Sequence, residues 1–436
     1  MRARSSTTDS ILYTVSRRHA AAIRTESEFT LHEPSAALAN PPTGLPGRTS
    51  MRPAAVVALI VVSHTTIDAY TAFLPPLLPR IMDNLGLSIT LAATLSTVLS
   101  ISTALPQPAF GYLADRFGRR AFLAAGPIVG GVFISLLGMA PSYFVLLLLL
   151  TVGGLGSAAF HPPGASLVAR AGDGRGSGVR MSIFSFGGAA GFALGPISAV
   201  AIVGLFGLSG LWIAMIPGVV LGVALWFVAK GRTRVGPGTP PPPPLEVLRK
   251  LRGPLGLVFG ISVVGSFAQK AILTFIPIIA HRAGQSETAG AIVLSVYLGA
   301  QGLGTLASGY LTDRLNRQHL LAVISVLAVP THILAFTLAP ASPAAIVMAV
   351  CAGFLNMALL PPIVVVAQEI LPSGTAVSSG IVMGLAWAVG TLAIPVVGGF
   401  ADAFGPVAAT AWSMPLLLLG ALFAMQPSLR PYRRAR

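Results

Sequence analysis

The chain has 436 residues, of which 54% are hydrophobic and only 9% charged, and it carries a formal net charge of +15. With a mean hydropathy of +0.80 it lies outside the range of soluble domains. The positive charge does not indicate nucleic-acid binding, because the cations stand between apolar runs and not on one basic face. A single cysteine, Cys351, excludes an internal disulfide and any multi-cysteine metal site.

Residues 1–52 hold no apolar run and mix Arg, Ser, Thr and Pro with Glu26, Glu28 and Glu33, so they are expected to be a solvated basic segment without fixed structure. Translation from Met51, directly before the first apolar run, is an alternative for this leader. Twelve runs of about twenty apolar residues then follow, each long enough to cross a bilayer. Their expected spans are 54–79, 89–113, 121–140, 143–168, 181–206, 209–229, 255–280, 289–311, 319–339, 343–368, 376–401 and 407–426. The fold class is therefore an all-α integral membrane protein, with one six-helix bundle at 53–229 and another at 254–427. Residues 230–253, with the run Pro240 to Pro244 among cations, read as a stiff cytoplasmic linker, and 428–436 as a basic tail.

Charge distribution orients the bundle. Of the 28 Lys and Arg residues, 25 fall on the side of the two termini, against Arg80 and Arg282 opposite and Lys270 within a run. The positive-inside rule puts both termini in the cytoplasm, with anionic lipid headgroups as natural partners of the basic loops. No nucleic-acid partner and no cofactor are expected.

The first run carries His64-Thr-Thr-Ile-Asp68, and Asp68 sits far from either flanking arginine, near the bilayer midplane. A carboxylate there costs about 2.5 to 3.5 kcal/mol, so it should face the bundle interior and serve as a proton carrier or gate. His64 lies one helical turn away on the same face. No metal site is expected, because no third ligand stands beside this pair. Setting Phe275-Ile-Pro277 of the seventh run on Phe73-Leu-Pro75 of the first brings Lys270 opposite Asp68 without a gap. Opposite charges at equal depth in two repeat-related helices can then approach across the central axis. Gln269 and Lys270 thus join Asp68 and His64 as candidate cavity residues.

Two loops repeat a pattern. Gly111-Tyr-Leu-Ala-Asp115-Arg116-Phe-Gly118-Arg119-Arg120 returns as Gly309-Tyr-Leu-Thr-Asp313-Arg314-Leu-Asn316-Arg317-Gln318. Both copies resemble the cytoplasmic loop signature of the major facilitator superfamily of secondary transporters. The second departs from it at Asn316 and Gln318. The resemblance implies gating by Asp115, Arg116, Asp313 and Arg314, through state-dependent contacts that stabilise the outward-open form.

A closer resemblance rests on H-x-x-x-D in the first run, Phe160-His161-Pro followed by Val168-Ala-Arg170 in the fourth, and Gly187-Gly-Ala-Ala-Gly191-Phe-Ala-Leu-Gly195-Pro196 in the fifth. Ala367-Gln368-Glu369-Ile-Leu-Pro372 in the tenth completes it. Over about residues 55–425 the chain resembles the fosmidomycin resistance branch. That branch implies a monomer of the bacterial cytoplasmic membrane exporting small drug-like or anionic compounds against inward proton flow. His161 and the Gln368–Glu369 end of the tenth helix enter as candidates on this ground. The glycine-proline pattern of the fifth helix imperfectly resembles that of antiporters. Proton-coupled uptake of a polar metabolite is the alternative direction, with Lys270 holding an anionic group. An enzyme is not expected, since His64 and Asp68 lie at the midplane with three residues between them, where a membrane acyltransferase has four.

Overall fold

The computed structural model describes residues 53–171, 177–230, 243, 246, 249–372 and 375–433. The expected leader and most of the expected linker lie outside them. Among the described residues there is no strand, and twelve helices are long and apolar enough to span a membrane. They are α1 (Ala54–Leu85), α2 (Ile89–Phe117), α3 (Arg119–Met139), α4 (Tyr143–Arg170), α5 (Val179–Phe206) and α6 (Ser209–Val228), then α7 (Pro254–Arg282), α8 (Glu287–Thr312), α9 (Arg317–Thr337), α10 (Pro343–Ile370), α11 (Val377–Phe404) and α12 (Pro406–Ala424). The first six and the last six form two halves related by a pseudo-two-fold, an integral membrane bundle.

Local chemistry explains where the helices start and break. Ser88, Ser142, Ser286 and Ser342 precede α2, α4, α8 and α10 and accept from the N–H three residues on, satisfying donors that a helix N-terminus leaves open. Four spans are broken where a proline lacks the donor for the helical ladder: α1 before Leu74-Pro75, α2 at Pro106, α10 before Leu360-Pro361 and α11 before Ile394-Pro395. Pro75, Pro361 and Pro395 stand in the first turn of a new helical segment, where the missing N–H does no harm, and Pro106 caps a segment whose first turn holds Pro108. In α1 this carries the helix past Pro79 to Leu85, ended by Gly86 at φ 62°.

Apolar packing shows how the halves meet. At the charge-poor end, one shared core runs from Tyr70 and Leu77 through Leu95 and Ile134 to Phe275, Leu294, Phe336 and Ile394. At the arginine-rich end there are two cores. Val56, Ile60, Leu123 and Phe160 belong to the first half, and Val258, Leu321, Ile363 and Val382 to the second. The main packing between halves pairs α5 with α8 and α2 with α11, while α1 and α2 reach the second half through their outer segments, Leu74–Leu85 and Ile89–Ala104. The space between the halves is thus closed at the charge-poor end and opens toward the arginine-rich end.

Candidate functional site

Asp68 is buried, with 4% of its surface exposed. Its Oδ2 lies 3.2 Å from Nε2 of His64 and its Oδ1 3.2 Å from Nε2 of His161 on α4. The other ring nitrogens fix the tautomers. Nδ1 of His64 is 2.8 Å from the carbonyl oxygen of Phe184 on α5, and Nδ1 of His161 is 2.7 Å from that of Ser157. A carbonyl only accepts, so each Nδ1 carries hydrogen, and each Nε2 turns toward the carboxylate. With neither Nε2 nor the carboxyl protonated, lone pairs would oppose one another at both contacts. The arrangement therefore calls for a cation among the three groups: one proton makes the set neutral and bridges one of the two contacts, and a second proton bridges the other. His64 is stacked on Phe184 with ring centroids 4.0 Å apart, whereas His161, its side chain 22% exposed, is the member through which the group is reached.

The triad corrects two expectations. His161 is a third ligating side chain beside His64 and Asp68, and the ligating atoms of the three lie within 4.8 Å of one another, close enough to surround a metal ion. No ion pair joins Asp68 to Lys270. The carboxylate is instead held within its own half, and among the described residues half-buried Lys270 has neither an ion pair nor a hydrogen bond. Its neighbour Gln269 donates to Oε1 of Gln301 (3.1 Å). Gln301 donates in turn to Oδ1 of Asn356 (3.2 Å), and Asn356 to the carbonyl of Gly265 (2.8 Å). Gln269 and Asn356 of this amide chain, with Ser262, Ser266, Trp387 and the apolar side chains of Ile261, Leu359 and Ile363, line a recess between α7, α10 and α11. No motif in the sequence points to Gln301 or Asn356; only their polarity inside apolar runs marks them.

The glycines of α5 seat α1. A Cβ at Gly191 would run into the backbone carbonyl of Thr65, and one at Gly195 would lie 2.6 Å from that of Ala69. At Gly188 it would come 2.6 Å from Oδ2 of Asp68, so this glycine leaves the space the carboxylate fills. Gly187 closes the same seam, its carbonyl accepting from Thr65 Oγ1 at 2.9 Å, and Pro196 follows inside the helix.

In the first loop, Nε of Arg119 donates to Asp115 (2.7 Å), Arg116 to the hydroxyl of Tyr112 (2.8 Å) and Arg120 to the carbonyl of Trp226 (2.6 Å). Gly118 turns the chain at φ 104°, and Gly111 approaches Pro162 of α4. The second copy is put to other uses. Asn316 caps α9, and Gln318 donates to the carbonyls of Ala424 and Gln426. Arg314 lies over the Tyr310 ring, and Asp313 makes no side-chain hydrogen bond or ion pair among the described residues. Glu369 accepts from Arg317 (2.7 Å) and Gln368 donates to Ser379 (3.0 Å), tying α10 to its own half.

At the charge-poor end every acidic residue is bound to the opposite half. Arg80 donates to Glu287 at 2.6 Å, Asp83 meets His281 at 3.0 Å, and Asp402 accepts from Ile89 and Thr90. The partners of Asp402 lie more than three hundred residues away and cannot be read from spacing.

The model of the Major Facilitator Superfamily matches residues 59–378. The fosmidomycin resistance protein of Escherichia coli (strain K12) is 27% identical over 358 residues, 80% of this chain and 86% of that protein. An uncharacterized MFS-type transporter of Bacillus subtilis (strain 168) is 26% identical over 385 residues, 86% of this chain and 93% of that one. Among solved structures, a bacterial homolog of the human lysosomal transporter Spinster, inward-facing and unoccupied, superposes with a TM-score of 0.73 at 19% identity, covering 87% of this chain and 97% of its own.

Proposed function

The chain belongs to the Major Facilitator Superfamily and is a multi-pass membrane transporter, and from that premise we propose that it exports small drug-like or anionic compounds in exchange for protons by alternating access. The observation that carries this reading is the pair of tautomer-locked histidines on one buried carboxylate, His64 and His161 on Asp68. Such a set is neutral with one proton and charged with none or two, so in a low-dielectric bundle it exchanges single protons and prefers to hold one.

Under the positive-inside rule the arginine-rich end faces the cytoplasm, both termini lie there, and the cleft is open to it. Cargo enters from that side and meets the amide chain and Lys270, whose ammonium has no carboxylate partner among the described residues and therefore suits an anionic group. The triad releases its proton inward as cargo loads. The halves then part at the outer end, cargo leaves, a proton enters through His161, and the carrier returns. A monomer in the bacterial cytoplasmic membrane, its basic loops against anionic headgroups, completes the reading. The relative named for fosmidomycin resistance supports export. Uptake by symport is the second reading, and the unpartnered Lys270 would serve it equally.

Vesicles decide between them. With the purified chain in liposomes and an imposed pH gradient, exchange moves cargo against the proton flux and symport moves it with the flux. In a pump-deficient host the wild type should raise resistance to some member of a compound panel, and Asp68→Asn should not. Undiminished pH-driven export by Asp68→Asn would remove the triad from the mechanism.

A further inference from the structure

The glycine–aspartate loop pattern occurs a third time, at the opposite end of the bundle. Gly398-Gly-Phe-Ala401-Asp402-Ala-Phe404-Gly405 at the end of α11 matches Gly111-Tyr-Leu-Ala114-Asp115-Arg-Phe117-Gly118 at the end of α2, as G-x-x-A-D-x-F-G. The backbones match as well. Each stretch closes an eleven-residue helical segment, Gln107–Phe117 and Ile394–Phe404, with a proline in its first turn. Each ends on a glycine at positive φ, 104° and 86°, whose N–H returns to the carbonyl of the buried alanine, Ala114 or Ala401, and the next helix begins at the following residue.

The two carboxylates differ in what they bind. Asp115 is held within its own half by Arg119. Asp402 crosses to the other half and takes the first turn of α2: Oδ1 accepts from Ile89 N at 2.8 Å, and Oδ2 from Thr90 N at 3.0 Å and Thr90 Oγ1 at 2.6 Å. The α2 N-terminus has no acid of its own in that turn, so Asp402 supplies the negative charge its dipole favours. The helices are close enough for this because Gly398 faces Thr90, where a Cβ would lie 2.9 Å from the Thr90 Cα. Parting of the halves at this end must break all three hydrogen bonds together.

We propose that Asp402 is the latch of the outer end: its carboxylate on the α2 N-terminus holds this end shut, as the counterpart of the Asp115 loop, which acts when the inner end shuts. This rests on the alternating-access reading, but not on cargo, direction or proton coupling. The first segment of α11, Thr375–Gly380, likewise has no acid in its first turn. α2 and α11 thus each end in a gate aspartate and each begin in a helix terminus lacking an acid of its own, at opposite ends of the membrane.

The test is a distance. With Cys351 replaced by Ala, spin labels at Met139→Cys and Gln285→Cys, exposed at the outer ends of the first and second halves, report separation of those ends in the full-length protein. Asp402→Ala should raise the ratio of long to short distances by roughly 2- to 30-fold, the span of a lost helix cap. Thr90→Val, which removes one of the three donors, should raise it less, and adding Asp115→Asn to Asp402→Ala should bring it back toward wild type. If Asp402→Ala lowers thermal stability but leaves the distances unchanged, the residue only caps α2 and the latch is refuted. The readout needs neither cargo nor gradient, so loss of pH-driven export with the distance shift intact would strike the export reading alone.

Discussion

In the first helix of each half, α1 and α7, the chain has placed opposite chemistries. α1 carries Asp68 inside a closed set of two histidines, reached through one half-buried ring, whereas α7 carries Lys270 and, at the edge of a recess where two amides, two hydroxyls and an indole stand among apolar side chains, Gln269. The acid has partners for both oxygens, and the ammonium has none among the described residues. A duplicated bundle does not need to keep both copies of a site alike. In the function proposed above, one half holds and passes a proton and the other meets the cargo, so coupling runs through the interface between them.

Separate roles predict separate defects. The largest belongs to Asp68→Asn, which keeps the side chain's shape but removes the charge that both Nε2 atoms face. Accumulation driven by a pH gradient should fall to that of empty liposomes, while cargo binding, measured by calorimetry, stays near wild type. Parallel loss of binding would erase the division between halves. Lys270→Met should do the reverse, weakening binding of an anionic cargo by about tenfold, the scale of one charge-assisted contact, with the response to a pH gradient retained for what still binds. Gln301→Ala is smaller and structural. It leaves Gln269 Nε2 without its acceptor and Asn356 Oδ1 without its donor, at about 1 to 3 kcal/mol for each buried group, so the melting temperature should drop by several degrees. Gln301→Glu, which can still accept from Gln269, should drop less.

What the sequence made legible follows from what each feature depends on. The twelve spans rest on hydropathy within one stretch of chain, and they stand where the runs predict, with α1 longer because Pro75 and Pro76 begin a new segment that Gly86 ends. Asp68 was readable as a buried acid from its distance to flanking charges. Its partners were not, because they depend on how α4 and α5 pack: His161 entered only through resemblance, and the Phe184 carbonyl that orients His64 carries no signal in a side-chain alphabet. The pairing of Asp68 with Lys270 fails because two histidines of its own half, on α1 and α4, already take both oxygens of the carboxylate. Asp402 was missed as a gate because Ala403 and Pro406 stand where Arg116 and Arg119 make the first loop conspicuous.

The smallest predicted effect is also the sharpest on the triad. Its ligating atoms lie close enough to surround a metal ion, so a proton and a divalent cation compete as explanations for the cation that the locked tautomers require. Charge separates them. Asp68 with two neutral histidines and one proton sums to zero, whereas the same groups around a divalent ion leave a net positive charge in the apolar interior, and three protein ligands leave a tetrahedral ion's fourth position to water. Gly188 stands against the carboxylate and the Phe184 ring is stacked on His64, so packed groups close two flanks of the triad. Stripping the purified protein with a strong chelator, or adding zinc back, should therefore leave pH-driven transport unchanged. Inactivation by the chelator with rescue by zinc, absent in His161→Asn, would convert the triad into a metal site and take proton coupling away from the first half.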